Sequence, residues 1–120
     1  NFFGRFLGIN VIVPHLGGAL PYLSGRLDAG WRTYPECQQI NRPPSEVIER
    51  LYFDTVSFSE AALKCAIDVA GEDHILFGSD YPQSLGGDIA TAISGIESTV
   101  NRRHRGKVLG DTAARLFGLE

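Results

Sequence analysis

The chain is short of several things, and each shortage closes off a class of function. Only two cysteines occur in 120 residues. Cys37 and Cys65 stand apart with no CxxC spacing, so a disulfide framework is not suggested and two reduced thiols in a cytoplasmic protein are expected. There is no excess of positive charge: the formal net charge is −3, which argues against nucleic acid as a partner. The one basic cluster, Arg102-Arg103-His104-Arg105, is short and reads as a solvated loop between helices. No apolar run is long enough to span a membrane, so no membrane partner is expected. The opening Asn1-Phe2-Phe3-Gly4-Arg5 has no basic region ahead of an apolar one, as a signal peptide would. It also lacks an initial methionine and reads as the inside of a helix, so a piece of something longer is expected. The nucleotide-binding and hydrolase signatures GxGxxG, GxxxxGK[ST], GxSxG and HExxH are all missing.

What is present belongs to a globular α/β chain. Hydrophobic residues make up 43% and charged residues 21%, and the length suits one domain. Three apolar runs read as buried strands: residues 9–14, 51–54 and about 75–79. Helical spacing separates them. Phe2, Phe3 and Phe6 share one side of a helix end over Asn1 to Leu7, which Gly8 stops. Leu20, Leu23, Leu27 and Trp31 recur on a helix that must start near Gly18, because Pro21 is tolerated only in a first turn. Residues 32–44 read as a long irregular loop, and Ser45 can cap a short helix through Arg50. Ser59 and Asp88 can cap two longer helices, the first ended by Gly71 and braced by a Glu60–Lys64 pair. A last pair of short helices carries Val108, Leu109, Leu116, Phe117 and Leu119. Strands without clean alternation, each followed by a helix, imply a parallel sheet. An open doubly wound sheet and part of a (β/α)8 barrel both fit.

Chemistry in parallel sheets gathers at the carboxyl ends of the strands. Two strand ends carry the strongest candidates. Ile75-Leu76-Phe77-Gly78-Ser79-Asp80-Tyr81-Pro82 runs apolar to Asp80 and stops at Pro82. Asp80 can be a metal ligand, a general base, or a turn cap. The earlier run Ile9 to Pro14 ends at His15, which is followed by Leu16-Gly17-Gly18. Two glycines let backbone approach a ligand, and the helix beyond them directs N–H groups to the same place. A histidine beside such a pocket can be catalytic, although a lone histidine is more often structural. Asp54 also ends a strand and reads best as a hydrogen bond to a neighbouring loop. His74 precedes its strand and belongs to the opposite rim, and His104 sits in the basic loop. Arg26 fits a surface ion pair. Trp31 and Tyr22 read as packing.

These residues resemble a known family. His15-Leu16-Gly17-Gly18, with Pro21 and Arg26 beyond, is similar to the sixth-strand motif of one branch of the amidohydrolase superfamily. That branch includes aminocarboxymuconate-semialdehyde decarboxylase and γ-resorcylate decarboxylase. Phe77-Gly78-Ser79-Asp80-Tyr81-Pro82 resembles its eighth-strand motif. Asp111-Thr112-Ala113-Ala114-Arg115-Leu116-Phe117 resembles its closing helix, where Asn is more usual than Asp111. The resemblance implies that residues 1–120 are the C-terminal part, about strands six to eight, of a metal-dependent (β/α)8 barrel. Such a barrel takes about 250 residues, and the family's His-x-His on strand one and histidine on strand five have no counterpart here. By the resemblance, Asp80 matches the metal ligand and His15 the acid or base. Gly17, Gly18 and Arg26 fall to substrate binding. Zinc is the implied cofactor, with manganese the alternative. The implied activity is decarboxylation or hydrolysis of a small carboxylic acid by the complete enzyme. Arg26, roughly 15 Å along its helix, is expected to reach the neighbouring subunit of a homodimer. The rival expectation is a non-catalytic α/β fragment binding an anion or a protein partner at the Gly17-Gly18 helix start.

Overall fold

The computed structural model describes residues 5–119 apart from Leu7, Ser84 and Gly86. The helix end expected over Asn1 to Leu7 lies, but for Arg5 and Phe6, outside these residues. Three short strands form one parallel sheet: β1 (Ile12–Val13), β2 (Tyr52–Asp54) and β3 (Ile75–Leu76), in the order β1-β2-β3. Val13 lies opposite Phe53, and Phe53 opposite Ile75. Every carboxyl end therefore lies on the same rim.

Two of the strands are shorter than expected. β1 begins at Ile12, three residues later than read from the sequence, and ends after Val13, where Pro14 has no N–H to continue it. Past β3, Phe77 donates its N–H at 2.8 Å to the carbonyl of Val108, which belongs to a helix and not to a strand. That carbonyl is available because residues Lys107–Asp111 form a π-helical turn: the Thr112 N–H bonds back to Lys107. In an α-helix it would bond to Val108 instead.

The helices cover the sheet. Helix α1 (Leu20–Thr33) carries Pro21 in its first turn. Its outer face exposes Tyr22 by 81%, against the packing role expected for it, because residue 22 lies nearly opposite Leu20 around the helix. The loop after α1 is not irregular throughout. Residues Pro35–Gln39 form a 3-10 turn, and Trp31 Nε1 donates to the Ile40 carbonyl at 3.1 Å. Helix α2 (Pro44–Ile48) starts from Pro43 and has no side-chain cap. Ser45, expected as that cap, instead donates its N–H and hydroxyl to the Asp28 carboxylate at 2.9 and 2.7 Å, fastening α2 to α1. Helix α3 (Glu60–Ala70) is capped by Ser59, whose hydroxyl accepts the Ala62 N–H, and it ends at Gly71. The pair expected between Glu60 and Lys64 is replaced by a bond across helices, from the Ser98 hydroxyl to Glu60 at 2.8 Å. Asp88 caps helix α4 (Ile89–Thr99) by accepting the Thr91 N–H and hydroxyl, both at 2.8 Å. Helix α5 (Thr112–Phe117) continues from the π-turn. Lys107 Nζ lies 2.7 Å from Asp73, holding this last segment to the turn before β3.

The core centres on Phe53, which is fully buried on the middle strand with Ile75 and Val108 close behind. Burying such a ring contributes about 2–3 kcal/mol. It also dictates a glycine. A Cβ on Gly17 would lie 2.4 Å from Phe53 Cε1, so β1's exit can cross the ring only without a side chain.

Three outcomes follow. Gly17→Ala should lower unfolding stability by about 3 kcal/mol, since both ring and left-handed backbone resist the methyl. Gly95→Ala, where a Cβ meets open space within α4, should raise it by about 0.5–1 kcal/mol. Denaturant titration of both variants checks these signs. The Thr91 bonds hold the Asp88 carboxyl below its ordinary value of 3.8, and the Lys107 ammonium does the same for Asp73. Their stabilising share is thus complete above pH of about 4 and is lost as pH falls through the depressed folded values. Asp88→Asn, a neutral cap, should flatten the acid side of a stability-versus-pH profile.

Candidate functional site

The carboxyl rim is built by hydrogen bonds from the end of β2. After Pro14 the chain makes a left-handed turn: His15, Leu16, Gly17 and Gly18 all have positive φ, from 53° to 74°. For His15 and Leu16 this costs about 1–2 kcal/mol each. The Asp54 carboxylate offsets that cost. It accepts the His15 N–H at 3.1 Å on Oδ2 and the Leu16 N–H at 2.9 Å on Oδ1. It takes a third N–H, that of Val56, at 3.0 Å. Leu16 is buried at 3% exposure, which anchors the turn from below. The His15 ring is left exposed at the rim.

The next residue, Thr55, serves the other neighbour. Its hydroxyl accepts the Gly78 N–H at 3.1 Å and donates to the Gly78 carbonyl at 3.2 Å. Gly78 lacks a side chain because a Cβ there would stand 3.1 Å from both Asp54 Cβ and Val56 Cγ2. From Gly78 the chain runs to Asp80, which is half-buried and, like His15, left-handed with φ of 62°. Its carbonyl closes a turn by accepting the Gln83 N–H at 2.7 Å. Strained backbone of this kind persists where the surroundings hold it, and it concentrates at functional sites.

The expected residues are thus distributed as follows. His15 and Asp80 follow β1 and β3 on the common rim. Asp54 makes the loop hydrogen bonds read for it. Gly17 is accounted for by Phe53 and its left-handed backbone, and its N–H bonds to Pro14 at 3.1 Å. The Gly18 N–H bonds to His15 at 2.9 Å, so neither glycine offers a spare donor to an anion. Arg26 is exposed and lies six residues into α1, about 9 Å from the helix start and not 15 Å. It forms no ion pair with the described residues. His74 is on the opposite rim, stacked on Tyr52 with centroids 4.8 Å apart. Its Nδ1 lies 3.1 Å from the Leu51 carbonyl, a bond that requires the proton on Nδ1. A cavity of about 780 Å3 opens at that rim between Leu27, Arg42, Leu51, Tyr52 and His74, away from the strand ends. Thr55 carries no signal of its own in the sequence, and Gly78 stands there only as one member of the motif from Phe77 to Pro82. The signal for Gly78 was a glycine directly after a strand, which often marks close backbone approach.

Among the described residues, no three His, Cys, Asp or Glu side chains gather as a metal cage would require. Asp80 has the right chemistry for one oxygen ligand, and the donor set goes no further. Cys37 is exposed and Cys65 half-buried, both as free thiols. No helix among the described residues is long and apolar enough to cross a membrane.

Comparison with known proteins identifies the family. The sequence model of the Amidohydrolase family matches residues 1–119. The chain is 29% identical to the 2-amino-3-carboxymuconate-6-semialdehyde decarboxylase of Dictyostelium discoideum, across 98% of this chain and 33% of that protein. It superposes on the 5-carboxyvanillate decarboxylase of Sphingomonas paucimobilis with a TM-score of 0.83 and 28% identity, covering 98% of this chain and 36% of that one. A dihydroxybenzoic acid decarboxylase from Polaromonas, solved with manganese and the inhibitor 2-nitroresorcinol, aligns at a TM-score of 0.80 and 28% identity, again over 98% and 36%. The chain spans about a third of the length of the relatives it matches.

A single candidate carboxylate cannot hold a catalytic metal firmly, since such sites use about three protein ligands. Elemental analysis of the purified 120-residue chain should therefore find metal far below one equivalent. Near-stoichiometric zinc or manganese would contradict this.

Proposed function

Because the chain belongs to the amidohydrolase family, we propose that it is the C-terminal part of a metal-dependent carboxy-lyase acting on a small aromatic or unsaturated carboxylic acid. One observation carries the reading. His15 and Asp80, the residues matching the two family motifs, are both held in left-handed backbone beyond parallel strands that end on one rim. His15 acts as the general acid and base. Exposed at the rim, its ring can deliver a proton to the substrate carbon that bears the carboxylate. The C–C bond to that carboxylate then breaks, its electron pair returns to the conjugated system, and CO2 leaves. Asp80 would contribute a carboxylate oxygen to the metal, with the remaining ligands supplied from outside residues 1–120 in the complete enzyme. When bound, the metal supplies positive charge and a water acidified toward neutrality. Manganese, present in the Polaromonas relative, and zinc are the metals to test. Gly17 and Gly18 shape the turn that presents His15. The free thiols Cys37 and Cys65 support a reducing, cytoplasmic setting.

Arg26 extends the proposal to a homodimer. Exposed on α1 and without an ion-pair partner among the described residues, it is available to a neighbouring subunit. Its fork suits a substrate carboxylate, which it can meet with two hydrogen bonds.

In the full-length polypeptide, Asp80→Asn should lower metal content and abolish turnover. His15→Asn should keep the metal and lose roughly 10²–10⁴-fold in kcat. Loss of metal from the His15 variant would reverse the two roles. Mixing Arg26→Ala with His15→Asn subunits should restore part of the activity, because one site of each mixed dimer regains both groups. No recovery after confirmed subunit exchange would remove Arg26 from the partner's site.

A further inference from the structure

We propose that Asp54 and Thr55 form a positioning pair that sets His15 and Asp80 relative to each other. The inference rests on the roles given above to His15 and Asp80. The two residues are consecutive at the end of the middle strand, and each fastens a different neighbour. Asp54 holds the β1 exit through the N–H groups of His15 and Leu16. Thr55 holds the β3 exit through both backbone groups of Gly78. One peptide unit therefore joins the acid–base turn to the ligand turn. The sheet cannot supply this link: β1 ends at Val13 and β3 at Leu76, so His15 and Asp80 both lie beyond the ladder. Gly78 tightens the arrangement, since its missing side chain lets the β3 exit lie against Asp54 itself. Neither Asp54 nor Thr55 need touch substrate. They act through the residues they hold, and the two halves of the pair should separate experimentally.

In the metal-loaded full-length polypeptide, Asp54→Asn puts an amide group where a carboxylate accepted two adjacent N–H groups. We expect kcat to fall about 10–100-fold with KM and metal content kept, the scale of a small misplacement of a catalytic group. Thr55→Val removes the hydroxyl at similar volume. We expect about tenfold weaker metal binding in competition with a chelator, because Gly78 would no longer fix where Asp80, two residues on, stands, and Thr55→Ser should restore it. Unchanged metal affinity in Thr55→Val, or unchanged kcat in Asp54→Asn, overturns the proposal. So does a loss of kcat, KM and metal in step with thermal stability, with no rescue by serine. If His15→Asn and Asp80→Asn prove silent, the functional reading has failed. The pair is then judged by amide hydrogen exchange alone. Exchange at His15 and Leu16 should quicken in Asp54→Asn and stay unchanged in Thr55→Val, and any other pattern overturns the pair.

Discussion

The rim depends on one carboxylate that accepts three backbone N–H groups. Asp54 takes those of His15, Leu16 and Val56. Without an acceptor, a backbone donor removed from water costs about 1–3 kcal/mol. A left-handed run through His15 and Leu16 would cost a similar amount again. Meeting both costs with one side chain is what allows β1 to end in a tight reversal and still present an imidazole to solvent. The sequence places an acid at the end of the middle strand, and a middle strand is the position from which a short side chain can reach a neighbour.

Beneath that carboxylate, Phe53 sets the geometry of the interior. It is flanked by β1 and β3, fully buried, and directly under the Gly17 backbone. The ring and the carboxylate are adjacent in sequence and point to opposite faces of the sheet, as consecutive strand residues do. One dipeptide thus organises core and rim together. The chain belongs to the amidohydrolase family, and in parallel-sheet enzymes the interior keeps its apolar packing while the strand ends are free to vary.

Much of this was legible in the residues. Apolar runs separated by helical spacing gave three strands in parallel, and Ser59, Asp88 and Gly71 marked helix ends where the structure has them. His15 and Asp80 are candidates because chemistry in parallel sheets follows strand ends, and the structure puts both beyond strands that end on one rim. What could not be read were choices made by tertiary partners. Ser45 looks like a helix cap until Asp28, a residue of another helix, competes for it. Glu60 looks paired within its helix until Ser98 arrives from the next one. Gly17 and Gly18 resemble a ligand cradle, but their N–H groups close a local turn. Local pattern reports what a residue can do, and packing decides which option is taken.

The π-turn at Lys107–Asp111 bears on how the chain tolerates changes in length. A π-turn amounts to one extra residue in a helix. Deleting any single residue there would let the helix revert to regular winding and reclaim the Val108 carbonyl. The Phe77 N–H would then face the interior with no acceptor, three residues ahead of Asp80. Sequence drift in this last helix is thus constrained in count as well as in character. Substitutions on its outer side can accumulate, but an indel would be transmitted straight to the strand end that carries the aspartate.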